Sequence, residues 1–175
     1  SASDSSNDAR FSASSRAMAI AVRQVPGARL LMAGDGPDRP RIERLIDDHG
    51  VRGAVTMLGH VPRPRLDEVL GAAWGQAIPS RYLEPFTNTA AEAMMRGTAV
   101  VATATGGTPE IVGEGETGFL VPPGEPAGLA ERLVQLLRNR ELAEQMGAKA
   151  RAFAQAELTV DRMVDRFEEV YRRLL

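Results

Sequence analysis

The chain has 175 residues, of which 43% are hydrophobic and 25% charged, which is the composition of one soluble globular domain and not of a disordered chain. It contains no cysteine, which excludes a disulfide scaffold, thiolate zinc ligands and a cysteine nucleophile. The net charge of -2 offers no basic excess for nucleic acid, and no apolar run approaches the roughly 20 residues of a membrane span. We therefore expect a cytoplasmic protein that binds no nucleic acid.

The chain opens with a serine-rich stretch, SASDSSNDARFSASS, that has no periodic apolar pattern. We expect residues 1–15 to be a flexible leader and residues 16–175 to form one domain. A first helix begins near Ser14 or Ser15, either of which is a suitable N-cap, and Pro26-Gly27 ends it.

Short apolar runs then alternate with helix-forming segments. Strands are predicted over residues 28–34, 54–59, 74–80, 98–104 and 118–122. Helices are predicted over residues 40–50, 63–73, 88–96 and 108–112. The strand runs are unbroken, which predicts that both faces of the sheet are covered. Strict alternation predicts parallel strands joined by right-handed crossovers, and hence an α/β, doubly wound, Rossmann-like fold.

After Pro126 the pattern is helical only. Three apolar-periodic segments follow, and the last carries one apolar stripe made of Val160, Met163, Val164, Phe167, Val170, Tyr171 and Leu174. We expect this stripe to leave an apolar surface that favours self-association.

Ligands of open parallel sheets bind at the carboxyl ends of the strands. The loops to consider are therefore residues 34–37, 59–62, 80–88 and 104–110. The first, GDGPDR, lies between a strand and a helix as a phosphate loop does, but Arg39 replaces the third glycine of the dinucleotide fingerprint. An ordinary tight turn explains its two glycines equally well, so a dinucleotide fold is not predicted.

The segment PSRYLEPFTNTAAEAMMRG carries the strongest functional signal. Glu84 follows a strand, and Glu92 lies eight residues later inside the next helix. The free N–H groups at a helix start suit a diphosphate, with Thr87, Asn88 and Thr89 as side-chain donors. Carboxylates on either side would hold vicinal sugar hydroxyls, so this arrangement predicts a nucleotide-sugar site.

Two competing interpretations concern the same region. Thr89 and Glu92 fit the spacing of a capping box, in which the glutamate would serve only the helix. Gly106 and Gly107 allow either a close backbone approach or an ordinary turn. The two histidines, His49 and His60, have no carboxylates at ligand spacing, so we expect no metal site.

The segment EPFTNTAAEAMMRGTAVVATATGGTPEIVGEGETGFLVPPGEP resembles the C-terminal, donor-binding domain of retaining GT-B glycosyltransferases of group 1 (family 4 type). The resemblance also includes RLLMAGDGPDRPRIERL, VTMLGHVPRPRLDEVL and the final EEVYRRLL, and it spans roughly residues 16–175. It implies that the fold is one half of a GT-B enzyme.

The resemblance also assigns roles to individual residues. Glu84 would act in catalysis by holding hydroxyls of the donor sugar, and Glu92 would bind the ribose hydroxyls in preference to capping the helix. The remaining donor-binding residues would frame the diphosphate or line the base pocket; they are Phe86, Thr87, Asn88, Thr89, Gly59, His60, Val61, Pro62 and Gly34.

The reaction implied is transfer of a hexose, with retention, from a UDP-, GDP- or ADP-linked sugar to an acceptor, with no metal or other cofactor. The family's N-terminal domain, or a partner chain, would bind the acceptor and carry any peripheral membrane association. We expect the 175-residue chain to be inactive without it.

Two departures from the family pattern support an alternative. Thr87 stands where the family usually has glycine, and a side chain there is expected to narrow the donor site or alter the backbone. The family's arginine–lysine pair that clamps the diphosphate has no counterpart, with Arg10 the one basic residue before Arg16. The alternative is a non-catalytic interaction module of the same fold. A GT-B-type sugar-nucleotide epimerase is a third possibility, against which the spaced glutamates argue.

Overall fold

A computed structural model describes residues 15–174 of the chain. The expected leader lies outside these residues, except for Ser15, which is already helical. The strands are β1 (Leu30–Ala33), β2 (Val55–Gly59), β3 (Gly75–Ile78), β4 (Ala99–Thr103) and β5 (Gly118–Val121). The helices are α1 (residues 15–24), α2 (Arg39–Asp48), α3 (Arg63–Leu70), α4 (Asn88–Arg96), α5 (Thr108–Ile111), α6 (Pro126–Arg138), α7 (Arg140–Glu157) and α8 (Val160–Leu174).

All strand pairs are parallel, which confirms the predicted α/β class. The described strands form two sheets, one of β1 and β2 and one in the order β3-β4-β5. Helices lie against both, and the chain passes from strand to helix to strand as the sequence predicts. The Rossmann-like fold is therefore present, with its sheet in two parts.

The three-stranded sheet holds the main core. All five residues of β4 are buried. Val101 packs with Phe119 and Leu129 on one face, and Val100 packs with Met94 of α4 on the other. Because helices cover both faces, this sheet is the rigid frame of the domain.

The two-stranded sheet is covered on one face. Leu30 and Met32 of β1 pack towards α1 and α2, whereas Leu31 is 38% exposed. The prediction that both faces of every strand are covered is therefore wrong for β1, since α3 contributes no buried residue. Helix α1 joins the two sheets, with Ala17 in the core of one and Met18 in the core of the other.

Helix α4 is held in place by α7. A Cβ built on Gly147 would lie 2.0 Å from the Gly97 carbonyl oxygen, so the helices touch backbone to backbone at the end of α4. This contact fixes α4, whose opposite end faces the strand-end loops.

Helix α8 has no buried residue. Its apolar stripe is exposed as the periodicity predicts, from Val160 at 71% to Leu174 at 77%. Self-association through this surface remains a prediction. Within residues 15–174, no helix combines the length and apolar character needed to cross a bilayer.

Candidate functional site

The candidate site lies where β3 and β4 end. The loop after β3 carries Glu84 and leads into α4, and the loop after β4 carries Gly106 and Gly107. Because neighbouring parallel strands end at the same edge of a sheet, the two loops meet. The amide of Gly107 donates a hydrogen bond to the Glu84 carbonyl oxygen at 2.9 Å.

The two glycines are needed for this approach. A Cβ on Gly106 would lie 2.2 Å from the Glu84 carbonyl oxygen, and one on Gly107 would lie 2.2 Å from that of Pro85. Gly106 also has a positive φ of 52°. The glycine pair therefore lies in a turn and also allows close backbone approach, here to the loop of Glu84 and Pro85.

The Glu84 side chain is held in position by Ser80. The hydroxyl of Ser80 donates to Oε1 of Glu84 at 2.7 Å, and Ser80 itself is 2% exposed. The carbonyl of Ser80 in turn accepts a hydrogen bond from the Thr103 hydroxyl of β4. Sequence reasoning missed Ser80, although its place four residues before Glu84 at a strand end was a usable signal.

Thr87 differs from expectation. Its side chain is 1% exposed, and its hydroxyl shares a 2.7 Å hydrogen bond with the buried hydroxyl of Thr108. The prediction of a side-chain donor to a ligand is therefore wrong for Thr87, because this hydroxyl lies beneath the loop. With φ at -89° the backbone needs no glycine here, and the buried side chain does not narrow the surface above. Thr87 could therefore contact a ligand only through its backbone.

The start of α4 is uncapped. The helix begins at Asn88 with Thr87 as N-cap residue, and no side chain caps it. The capping-box interpretation is therefore wrong, because Thr89 lies inside the first turn. The Glu92 carboxylate instead accepts a hydrogen bond from the Arg63 guanidinium at 2.6 Å. Neither Arg63 nor this contact was predicted, since 29 residues separate the pair.

Several predicted donor-binding side chains are accessible at this helix start. Phe86 is 44% exposed, Asn88 and Thr89 are exposed, and Glu84 is half-buried. Phe86 and Gly107 also border a groove of about 490 Å³ that extends towards the junction of α7 and α8. A ligand can therefore reach the Glu84–Glu92 segment from solvent.

The predicted base-pocket residues, Gly59–Pro62, lie at the end of β2, and Gly34, another predicted donor-binding residue, follows β1. The Gly34 amide donates to the Gly59 carbonyl at 2.8 Å, which brings these two loops together. His60 and Pro62 are exposed, and Val61 is half-buried.

The structure thus forms two groups of predicted site residues. One joins Glu84 and Thr87 to the glycine pair, and the other joins Gly34 to Gly59. Side-chain contacts between α3 and α4 connect them, through Arg63 with Glu92 and Arg96 with Asp67 at 3.1 Å. Among residues 15–174, no group of three or more His, Asp or Glu side chains is placed to hold a metal ion.

The chain matches, over residues 7–153, the family model described as glycosyl transferases group 1. It is 31% identical over 148 residues to N-acetyl-alpha-D-glucosaminyl L-malate synthase of Bacillus anthracis, covering 85% of this chain and 38% of that protein.

Two solved structures extend the comparison. Sucrose-phosphate synthase of Thermosynechococcus elongatus superposes with a TM-score of 0.84 at 32% identity, covering 96% of this chain and 43% of that one. Anabaena HepE in complex with UDP superposes with a TM-score of 0.76 at 26% identity, covering 88% and 44%. The chain thus spans less than half the length of these relatives. By its family match, its identity to these proteins and its Rossmann-like fold, the chain belongs to the group 1 glycosyltransferases of GT-B architecture.

Proposed function

We propose that the chain is the donor-binding, C-terminal half of a retaining glycosyltransferase that transfers a hexose from a nucleoside diphosphate sugar. The bound nucleotide would be UDP, GDP or ADP. An N-terminal domain or partner chain would bind the acceptor and any membrane surface, so that the 175-residue chain binds donor without transferring sugar.

One observation carries the proposal: two carboxylates lie on either side of an uncapped helix start. Glu84 precedes α4 and Glu92 lies within it, while no side chain caps the helix that begins at Asn88. Free N–H groups and the helix dipole at such an end favour a diphosphate. The carboxylates are then placed to accept hydrogen bonds from sugar hydroxyls on both sides.

The chemistry follows from these positions. The bond from the anomeric carbon to the diphosphate oxygen breaks, and its electron pair leaves with the diphosphate. The amides at the start of α4 stabilise this developing charge. Glu84, fixed by Ser80, holds hydroxyls of the hexose. The acceptor hydroxyl forms the new bond to the anomeric carbon and gives its proton to the departing diphosphate. The donor-binding proposal is supported by the UDP bound to the related HepE.

The alternative, a non-catalytic interaction module, loses one of its two supports. Thr87 is buried against Thr108 with an ordinary backbone conformation, so replacing glycine there does not block the site. The other support, the missing arginine–lysine pair, concerns residues outside the described part of the chain.

Amide shifts of the labelled chain, titrated with UDP, GDP and ADP, test donor binding. We expect one nucleotide to shift the amide signals of the non-proline residues within Gly59–Pro62 and Glu84–Glu92. Glu92→Gln should weaken its binding about tenfold, as expected for losing hydrogen bonds to a charged group. Glu168→Gln, which breaks the exposed pair of α8 with Arg172 (2.7 Å), is the matched control and should change nothing.

A sugar nucleotide tests Glu84 separately. Glu84→Gln should reduce the affinity for the intact sugar nucleotide more than that for the nucleoside diphosphate, because Glu84 is assigned to the sugar. No shifts with any nucleotide, or shifts that Glu92→Gln leaves unchanged, would contradict the proposal and favour the interaction module.

A further inference from the structure

The Glu92 carboxylate is engaged by Arg63. The guanidinium donates to Oε1 of Glu92 at 2.6 Å. Arg63 is the first residue of α3 and directly follows the loop of residues 59–62. Arg63 therefore occupies one of the carboxylate oxygens to which ribose hydroxyls would donate. It approaches Glu92 from the side of the predicted base loop.

The start of α3 is an unfavourable position for a basic residue. The start of a helix carries a partial positive charge, which disfavours a basic residue. Pro62 precedes Arg63 with φ at -57°, and Pro64 follows it, so the backbone is restrained from both sides. The Arg63 side chain is nevertheless 77% exposed. Arg63 thus combines a restrained backbone with a solvent-exposed side chain whose hydrogen-bond partner is Glu92.

A second arginine near the base loop shows the contrast. The Nη1 atom of Arg39 lies 3.5 Å from a Cβ built on Gly59. Its guanidinium is shared between Glu43 at 3.1 Å and Asp35 at 3.8 Å. A guanidinium between two carboxylates is poorly suited to leave them for a ligand. Arg63 pairs with Glu92, the residue that the ribose is proposed to take.

We infer that Arg63 is a latch of the donor site: it holds Glu92 until the donor binds, and it contacts the diphosphate once ribose displaces it from Glu92. This inference rests on the proposed function. Asn88 and Glu92 lie four residues apart on one face of α4, a rise of about 6 Å along the helix axis. A turn of the exposed arginine side chain covers that distance. Its planar fork suits a phosphate, and it supplies positive charge beside the helix start.

The latch predicts opposite effects on two ligands that differ only in the diphosphate. In Arg63→Ala, a nucleoside such as uridine should bind about two- to fivefold more tightly, because an exposed ion pair of modest strength no longer competes. The corresponding nucleoside diphosphate should bind more weakly, because it loses a charge-assisted contact. The ratio of the two affinities should fall at least tenfold. Titrations of uridine with UDP, guanosine with GDP and adenosine with ADP measure it.

The controls separate this inference from the proposed function. Arg172→Ala breaks a similarly exposed pair on α8 and should leave both affinities unchanged. Arg63→Lys keeps the charge without the fork and should fall between wild type and Arg63→Ala. Equal changes for both ligands, or none, overturn the latch while nucleotide binding that depends on Glu92 still stands. If wild type binds no nucleotide, the proposed function fails; the latch fails too unless Arg63→Ala gains nucleoside binding.

Discussion

Strands β4 and β1 are both short apolar runs, yet the structure treats them differently. All five residues of β4 are buried between helices on two faces, whereas β1 alternates between half-buried and exposed positions. The glutamate loop and the glycine pair stand on the sheet of β4. The predicted base loop stands on the sheet of β1. The proposed phosphate and sugar contacts therefore lie on the more buried sheet. The proposed base contacts lie on the less covered one.

The largest effect should come from matched truncations of two methionines, one in the core of each sheet. Met94 is fully buried beside β4, and Met57 of β2 is half-buried beside Ile42 and Ile46. We expect Met94→Ala to lower the free energy of unfolding by about 2–5 kcal/mol. Met57→Ala should cost about 1 kcal/mol, because less apolar surface is lost. Urea denaturation of both variants measures the difference.

Native-state hydrogen exchange is the second readout for this pair. Amides of β1 and β2 should exchange through smaller openings than those of β4, since local stability follows the density of buried contacts. Equal costs for the two truncations, together with equal protection of the two sheets, would show that uneven coverage has no energetic consequence.

A smaller effect is expected from matched glycine substitutions in the loops that follow β4 and β1. Gly107→Ala places a Cβ 2.2 Å from the Pro85 carbonyl oxygen, so the Glu84 loop must move. We expect a loss of about 1–3 kcal/mol in stability. Amide shifts at Ser80 and Glu84, and weaker nucleotide binding, would report the displacement.

Gly36→Ala is the control, because a Cβ there meets nothing within 4 Å and its φ is not in the left-handed region. It should change stability by less than about 0.5 kcal/mol. If Gly107→Ala leaves the signals of Glu84 and nucleotide binding as in wild type, the backbone contact does not position the glutamate.

Local patterns predicted the elements well because they depend on neighbours in sequence. The predicted helix over residues 88–96 coincides with α4, where Gly97 supplies the left-handed C-cap. The alternation of strands and helices predicted the parallel pairing of the strands, but it did not predict the coverage of β1. Whether an apolar run is buried on one face or two depends on how distant helices pack.

The site residues divide in the same way. Glu84 and Glu92 were predicted as site residues from their spacing around a helix start. The contacts that fix them, Ser80 with Glu84 and Arg63 with Glu92, depend on where loops meet in space. The capping box failed for a local reason, because the helix begins at Asn88 and so puts Thr89 within its first turn.

The smallest expected effect concerns an ion pair on the less covered side. Two hydrogen bonds from Arg52, both at 2.7 Å, lower the pKa of Asp47; partial burial opposes this shift, and the charge of Arg52 adds to it. A carboxyl whose pKa is depressed in the folded state stabilises the fold above its unfolded pKa. That contribution is lost as the pH falls through the lowered pKa of the folded state. Arg52→Gln should return the carboxyl titration of Asp47, followed by NMR, towards its ordinary range. It should also slightly reduce the stability of the fold at neutral pH. Arg172→Gln should leave that titration unchanged.

The side chains of Asp47 and Arg52 are both more than half exposed, so the effect of their ion pair on stability is small. An unshifted Asp47 titration in Arg52→Gln would mean that the Asp47–Arg52 ion pair does not help to hold the end of α2 against β2. The half-covered core of the two-stranded sheet would then hold α2 by itself.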